Sequence, residues 1–157
     1  MNEPSVVHST FVIERRIPAA AGRVFAALSD PAEVRRWYGE HDGRSPEAFA
    51  MDFSLFGRQH MSSRMGHKTP FPDAILASDA VFLDIVPDRR LVMAQTMTLA
   101  GRRISASLIT YEVLQADAGS VLVFTHQGAF FEGSGGPEMR EEGWRLLLDG
   151  LVRQLMR

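Results

Sequence analysis

The stretch Glu138-Met139-Arg140-Glu141-Glu142-Gly143-Trp144-Arg145-Leu146-Leu147-Leu148-Asp149-Gly150-Leu151-Val152-Arg153-Gln154-Leu155-Met156 decides the fold. Trp144, Leu147, Leu148, Leu151 and Leu155 recur at three- and four-residue steps, which lays one apolar stripe along a helix. Glu138, Glu141 and Glu142 stand at its start, and Arg153 and Arg157 at its end, matching the sign of the helix dipole. At 3.6 residues per turn the stretch makes about five turns. Gly133-Ser134-Gly135-Gly136-Pro137 breaks what precedes it. A striped helix of this length must be covered, and what lies before it reads as strands.

Thr10 to Ile17 is rich in β-branched residues and reads as a first strand, stopped by Pro18. Ala19 to Leu28 reads as a short helix with Val24, Phe25 and Leu28 on one face. Asp30 and Pro31 suit the cap and first position of a second short helix that runs to about Trp37 and buries Val34 and Trp37. Phe49, Met51 and Phe53 then alternate with polar or small residues, as a half-buried strand does. Strands follow over Gln59–Met65, Ile75–Val86, Leu91–Leu99, Ile104–Leu114 and Val121–Ala129, separated by turns. The proline-punctuated stretch Gly66–Asp73 reads as a loop. The fold class is therefore α+β: a curved antiparallel sheet of about 6–7 strands wrapped around a long C-terminal helix, with two short helices after the first strand. A twisted sheet cannot close tightly along a single helix, so an apolar cavity between them is expected.

The chain has 157 residues, 45% hydrophobic and 23% charged, which fits one globular domain. The expected organisation is a tail over residues 1–9 and a single domain over 10–157. A formal net charge of −2 offers no long-range field for nucleic acid or an anionic membrane. Lys68 is the only lysine, and the arginines are scattered. With no cysteine, disulfides, thiolate metal sites and cysteine nucleophiles are excluded. Met1–Thr10 has no apolar run and is not a signal peptide, and no segment approaches the ~18 apolar residues of a membrane helix. A cytoplasmic location is expected.

Five stretches carry a resemblance: Arg23–Pro31, Val34–Gly39, Val81–Val92, Thr125–Gly128 and Glu142–Asp149. In this order, and together spanning about residues 10–155, they resemble the SRPBCC (START-like, helix-grip) superfamily and, within it, the AHSA-type branch named after the activator of heat-shock-protein ATPase. The resemblance implies a helix-grip, ligand-binding fold without implying one activity, because such folds host carriers, receptors, cyclases and co-chaperone domains. Activators of the chaperone ATPase carry a separate domain ahead of this one, and no such domain is expected before residue 10 here. The chain departs from the branch pattern at Gln95, where an aromatic residue is common, and at Phe56 beside Gly57, where a second glycine often sits.

The candidate ligand-binding residues follow from strand and helix parity. His126 shares parity with Leu122 and Phe124, so its imidazole is expected to face the interior. There it serves as a structural histidine, a ligand contact or an acid/base group. An acid/base role requires a second polar group within reach, with Gln95 or Tyr111 as the expected partners. Met51, Met61, Met93 and Met97 fall on the inferred inner face, either filling gaps or adapting to a ligand. Phe53, Ile109, Trp37, Trp144 and Leu148 join them as core or pocket wall. Gln59, Ser63, Gln95, Ser105 and Ser107 share that face, which predicts a partly polar cavity. Segments 38–47 and 66–73 are the expected gates.

No metal is expected: His60 and His67 have no ligand spacing, and no carboxylate cluster accompanies them. The glycines at 133–136 lack the lysine of a phosphate loop, and Gly-x-Ser-x-Gly is absent. No cofactor is expected. The first functional expectation is a protein that binds a small hydrophobic or aromatic molecule in the cavity. A cyclase, dehydratase or hydrolase using His126 is the second, and a stress-related chaperone adaptor the third. A homodimer is compatible with each.

Overall fold

The computed structural model describes residues 5–157. Seven strands form one antiparallel sheet: β1 (Val7–Ile17), β2 (Ala48–Met51), β3 (Arg58–Arg64), β4 (Ile75–Val86), β5 (Arg90–Leu99), β6 (Arg102–Ala116) and β7 (Gly119–Phe130). Their order is β1-β7-β6-β5-β4-β3-β2. From β2 to β7 the chain runs as a meander, and β1 completes the sheet by pairing with β7. The helices are α1 (Ala21–Ser29), α2 (Pro31–Val34) and α3 (Pro137–Leu155). Among the described residues no helix is long and apolar enough to cross a membrane.

The first strand begins three residues earlier than the alternation predicts. Val7, His8 and Ser9 pair with Phe130, Ala129 and Gly128, so backbone hydrogen bonding extends the strand into the expected tail. Residues 1–4 of that tail lie outside the described residues. At the other end Pro137 opens α3 at a position that lacks an amide partner in any case.

Asp30 behaves as the sequence suggests: its carboxylate accepts from the Ala32 amide at 3.1 Å, with Pro31 next in line. The helix does not then run evenly to Trp37. Arg35–Gly39 forms a wider π turn, and Trp37, Tyr38 and Gly39 are all buried. The Trp37 indole donates to the Ala27 carbonyl at 2.8 Å, which ties this turn to α1.

Two bulges break the sheet's regularity, between Phe82 and Asp84 on β4 and between Met97 and Thr98 opposite β6. The second leaves Ile104 as an extra residue, so Ile104 and its neighbour Ser105 are both buried. Simple alternation would have put Ile104 on the outer face. The core beneath the sheet is built by α1, the π turn and the Trp144, Leu148 and Leu151 face of α3. Arg15 on β1 reaches Asp149 on α3 at 3.0 Å, clamping the helix to the sheet's end.

Candidate functional site

The gap between sheet and α3 is divided in two by Tyr38. Its ring stacks on Trp144 with centroids 5.7 Å apart, and Trp144 in turn lies 4.5 Å from Phe124. These rings fill the deep half. What remains there is a void of about 10 Å³ walled by Trp37, Gln59, Met93, Gln95, Tyr111 and Trp144. It holds a single water at most. Gln95 Nε2 donates to Tyr38 Oη at 3.0 Å, and Tyr38 Oη donates to Ser78 Oγ at 3.0 Å. Burial is the main force raising the Tyr38 pKa, so the phenol stays protonated as the middle link of this chain.

On the other side of Tyr38 a cavity of about 290 Å³ opens between β4–β6 and the first half of α3. Leu76 on β4, Met97 on β5 and Ile104 on β6 form its sheet wall; Trp144 and Leu147 form its helix wall. Pro70 and Phe71 of the 66–73 loop close over it. A second, larger space of about 860 Å³ lies outward, between the segment 39–47 and the residues 63–69. The two share Tyr38, Met65, Leu76, Met97 and Leu147 as walls. Both segments expected as gates therefore lie on the rim of open space.

The expected site residues separate into three groups. Met97 and Trp144 line the 290 Å³ cavity, and Met61 and Met97 line the outer space. Trp37, Met93 and Gln95 face only the small void. Met51, Phe53, Ser107, Ile109, Phe124, His126 and Leu148 line none of the three. The reason is ring packing: Phe53 meets Phe25 and Phe82 edge-on at 6.2 and 5.1 Å, while Phe124 packs against Tyr111 and Trp144. Ile109, Phe124 and Leu148 have no exposed surface and are core.

His126 is fully buried, and neither ring nitrogen has a hydrogen-bond partner. Gln95 and Tyr111, the partners an acid/base role required, do not supply one; the Gln95 amide nitrogen is bonded to Tyr38 instead. Aromatic rings enclose the imidazole: Phe11 at 4.7 Å and Phe130 at 5.8 Å, both stacked. Burial, reinforced by the positive charge of Arg140, lowers its pKa to about 4. The imidazole is neutral near pH 7.

The family described as "Activator of Hsp90 ATPase homolog 1-like protein" matches residues 18–155. The chain belongs to this family. No curated protein matches it. Among solved structures, an uncharacterised protein from Rhizobium leguminosarum is 34% identical with a TM-score of 0.91, over 98% of this chain and 97% of its own. A protein from Rhizobium loti is 41% identical with a TM-score of 0.81, over 96% and 99% of the two chains. An AHSA1-like protein from Aeromonas hydrophila, 18% identical, shares the fold with a TM-score of 0.66 over 92% and 90%. The sequence expectation of an SRPBCC, AHSA-type helix-grip fold therefore holds.

In this member of the Hsp90-activator-like family, most residues of the cavity wall are absent from the expected set, Tyr38 and Arg140 among them. Tyr38 follows Trp37 in the π turn, and a regular helix would have turned one of the two outward. Arg140 stands on the cavity wall from the first turn of α3. Its signal was in the spacing: it lies four residues before Trp144, so the apolar stripe extended back one turn reaches it.

Proposed function

We propose that the chain is a small-molecule-binding protein, and that its ligand occupies the 290 Å³ cavity between β4–β6 and α3. The observation that carries this reading is the wall chemistry. Leu76, Met97, Ile104, Trp144 and Leu147 present apolar surface to a concave space near the lower end of the ~300–1,000 Å³ range of ligand sites. The ligand is hydrophobic or aromatic over most of its surface. Met97 and the partly buried Met65 adapt to its shape, since an unbranched thioether loses little by changing rotamer. Exchange takes place past Phe71 and the 39–47 segment.

Native mass spectrometry of the purified protein, followed by denaturing extraction, tests the reading. A copurifying apolar compound released only on denaturation supports it. A protein that emerges empty and shows no thermal shift with a panel of aromatic and acyl compounds sinks it.

A further inference from the structure

We propose that the ligand of this cavity is an organic monoacid whose carboxylate sits on Arg140; this rests on the binding role proposed above. Arg140 is the one charged side chain on the cavity wall among the described residues. Its guanidinium makes a single hydrogen bond, Nη1 donating to Ser105 Oγ at 2.8 Å. No carboxylate pairs with it among the described residues, whereas Arg15, Arg23, Arg35, Arg64, Arg90 and Arg145 all have acidic partners within 3.1 Å. Those six pairs lie at least partly in solvent, where a partner matters least. Of the arginines without an acidic partner among the described residues, Arg140 is the one that is not exposed, and it turns toward an apolar cavity.

Its position makes the missing charge more conspicuous. Arg140 lies in the first turn of α3, where the helix dipole is positive and favours an anion over a cation. Desolvation lowers its pKa to about 10, yet it remains a cation at neutral pH. The group is also held in place: its guanidinium carbon lies 5.3 Å over the Phe130 ring, and Ser105 anchors one nitrogen. That leaves the Nε and Nη2 edge uncommitted, and neither atom is sealed inside the protein. A planar, pre-positioned fork of two N–H donors matches a carboxylate bidentately. A phosphate monoester fits less well, because its second negative charge would meet no second cation on this wall.

Isothermal titration with matched acid and alcohol probes tests this. The pairs are decanoate with decan-1-ol, and 4-phenylbutyrate with 4-phenylbutan-1-ol. The wild-type protein is expected to bind at least one acid about tenfold or more tightly than its alcohol, the range of a charge-assisted hydrogen bond. Arg140→Gln is expected to abolish that preference. Equal binding of acid and alcohol by the wild type overturns the proposal and leaves the pocket reading standing. So does a preference that survives Arg140→Gln. Failure of all four probes to bind the wild type overturns the pocket reading and this one with it. The acid–alcohol comparison needs no variant, so it stands even where Arg140→Gln folds poorly.

Discussion

The imidazole of His126 lies flat against the ring of Phe11, with centroids 4.7 Å apart and planes inclined by 5°. Phe130 stacks on the histidine at 5.8 Å, and Arg140 lies over Phe130. A column of four planar groups thus runs from β1 through β7 to α3. A protonated histidine in it would be desolvated and would face Arg140's charge. The native pKa of about 4 lies below the ordinary 6.5 of an unfolded chain, so the unfolded state takes up a proton first as pH falls. Stability from this residue is fully present above pH 6.5 and is lost progressively down to pH 4, about 3 kcal/mol in all. His126→Phe keeps an aromatic ring in the stack and removes the titration. Urea unfolding at about pH 7 and about pH 4.5 should show the wild type losing about 2–3 kcal/mol more than the variant. Equal losses would mean that the native histidine is not held neutral.

Gly128 sits against the same column. A methyl group added there would lie 2.7 Å from Phe130 Cε2 and 2.9 Å from His126 Cε1, closer than packed atoms tolerate. Gly128→Ala should destabilise by about 1–3 kcal/mol, the usual cost of overpacking. An unchanged midpoint in thermal unfolding would show that the column is loose enough to shift.

The Gln95–Tyr38–Ser78 chain predicts unequal effects at its members. Tyr38→Phe deletes the middle link and strands the Gln95 amide and the Ser78 hydroxyl in a buried site, at a cost of about 1–3 kcal/mol. Gln95→Leu removes an amide whose oxygen already lacks a partner, while Tyr38 keeps its bond to Ser78. That change should be nearly neutral, within about 1 kcal/mol. Chemical denaturation of both variants decides it, and a Gln95→Leu loss as large as that of Tyr38→Phe would refute the ordering.

How far the sequence could be read depended on whether local pattern or tertiary packing set each position. The α3 stripe was legible because Trp144, Leu148 and Leu151 are buried by the same periodicity that marks them. Strand parity placed Gln59, Gln95 and Ser105 inside, where they are buried. Parity failed at Ile104, because a bulge adds a residue without any sequence mark of its own. The π turn was equally silent: Arg35 to Gly39 continues a helical pattern, and only packing against Ala27 and Trp144 favours the wider turn. For the same reason the expected pocket was too deep. Parity tells which side of the sheet Phe124 faces, but not that Tyr111 and Trp144 pack against it there.

Gly143, like Gly150, is a glycine in the interior of the 19-residue helix α3, where it costs about 1 kcal/mol relative to alanine. It lines the 290 Å³ cavity, and a methyl group built on it would meet no atom within 4 Å. Packing therefore does not demand the glycine. Open space beside the cavity is what it provides. Gly143→Ala should raise stability by about 1 kcal/mol with little effect on an apolar probe. Gly143→Phe should fill the cavity and weaken binding of decan-1-ol, while Leu146→Phe, at an exposed position on the same helix that lines no cavity, should not. Thermal unfolding and titration calorimetry on the three variants separate the two roles. If Gly143→Phe bound the probe as tightly as the wild type, the ligand would have to lie elsewhere than in the space between α3 and the sheet.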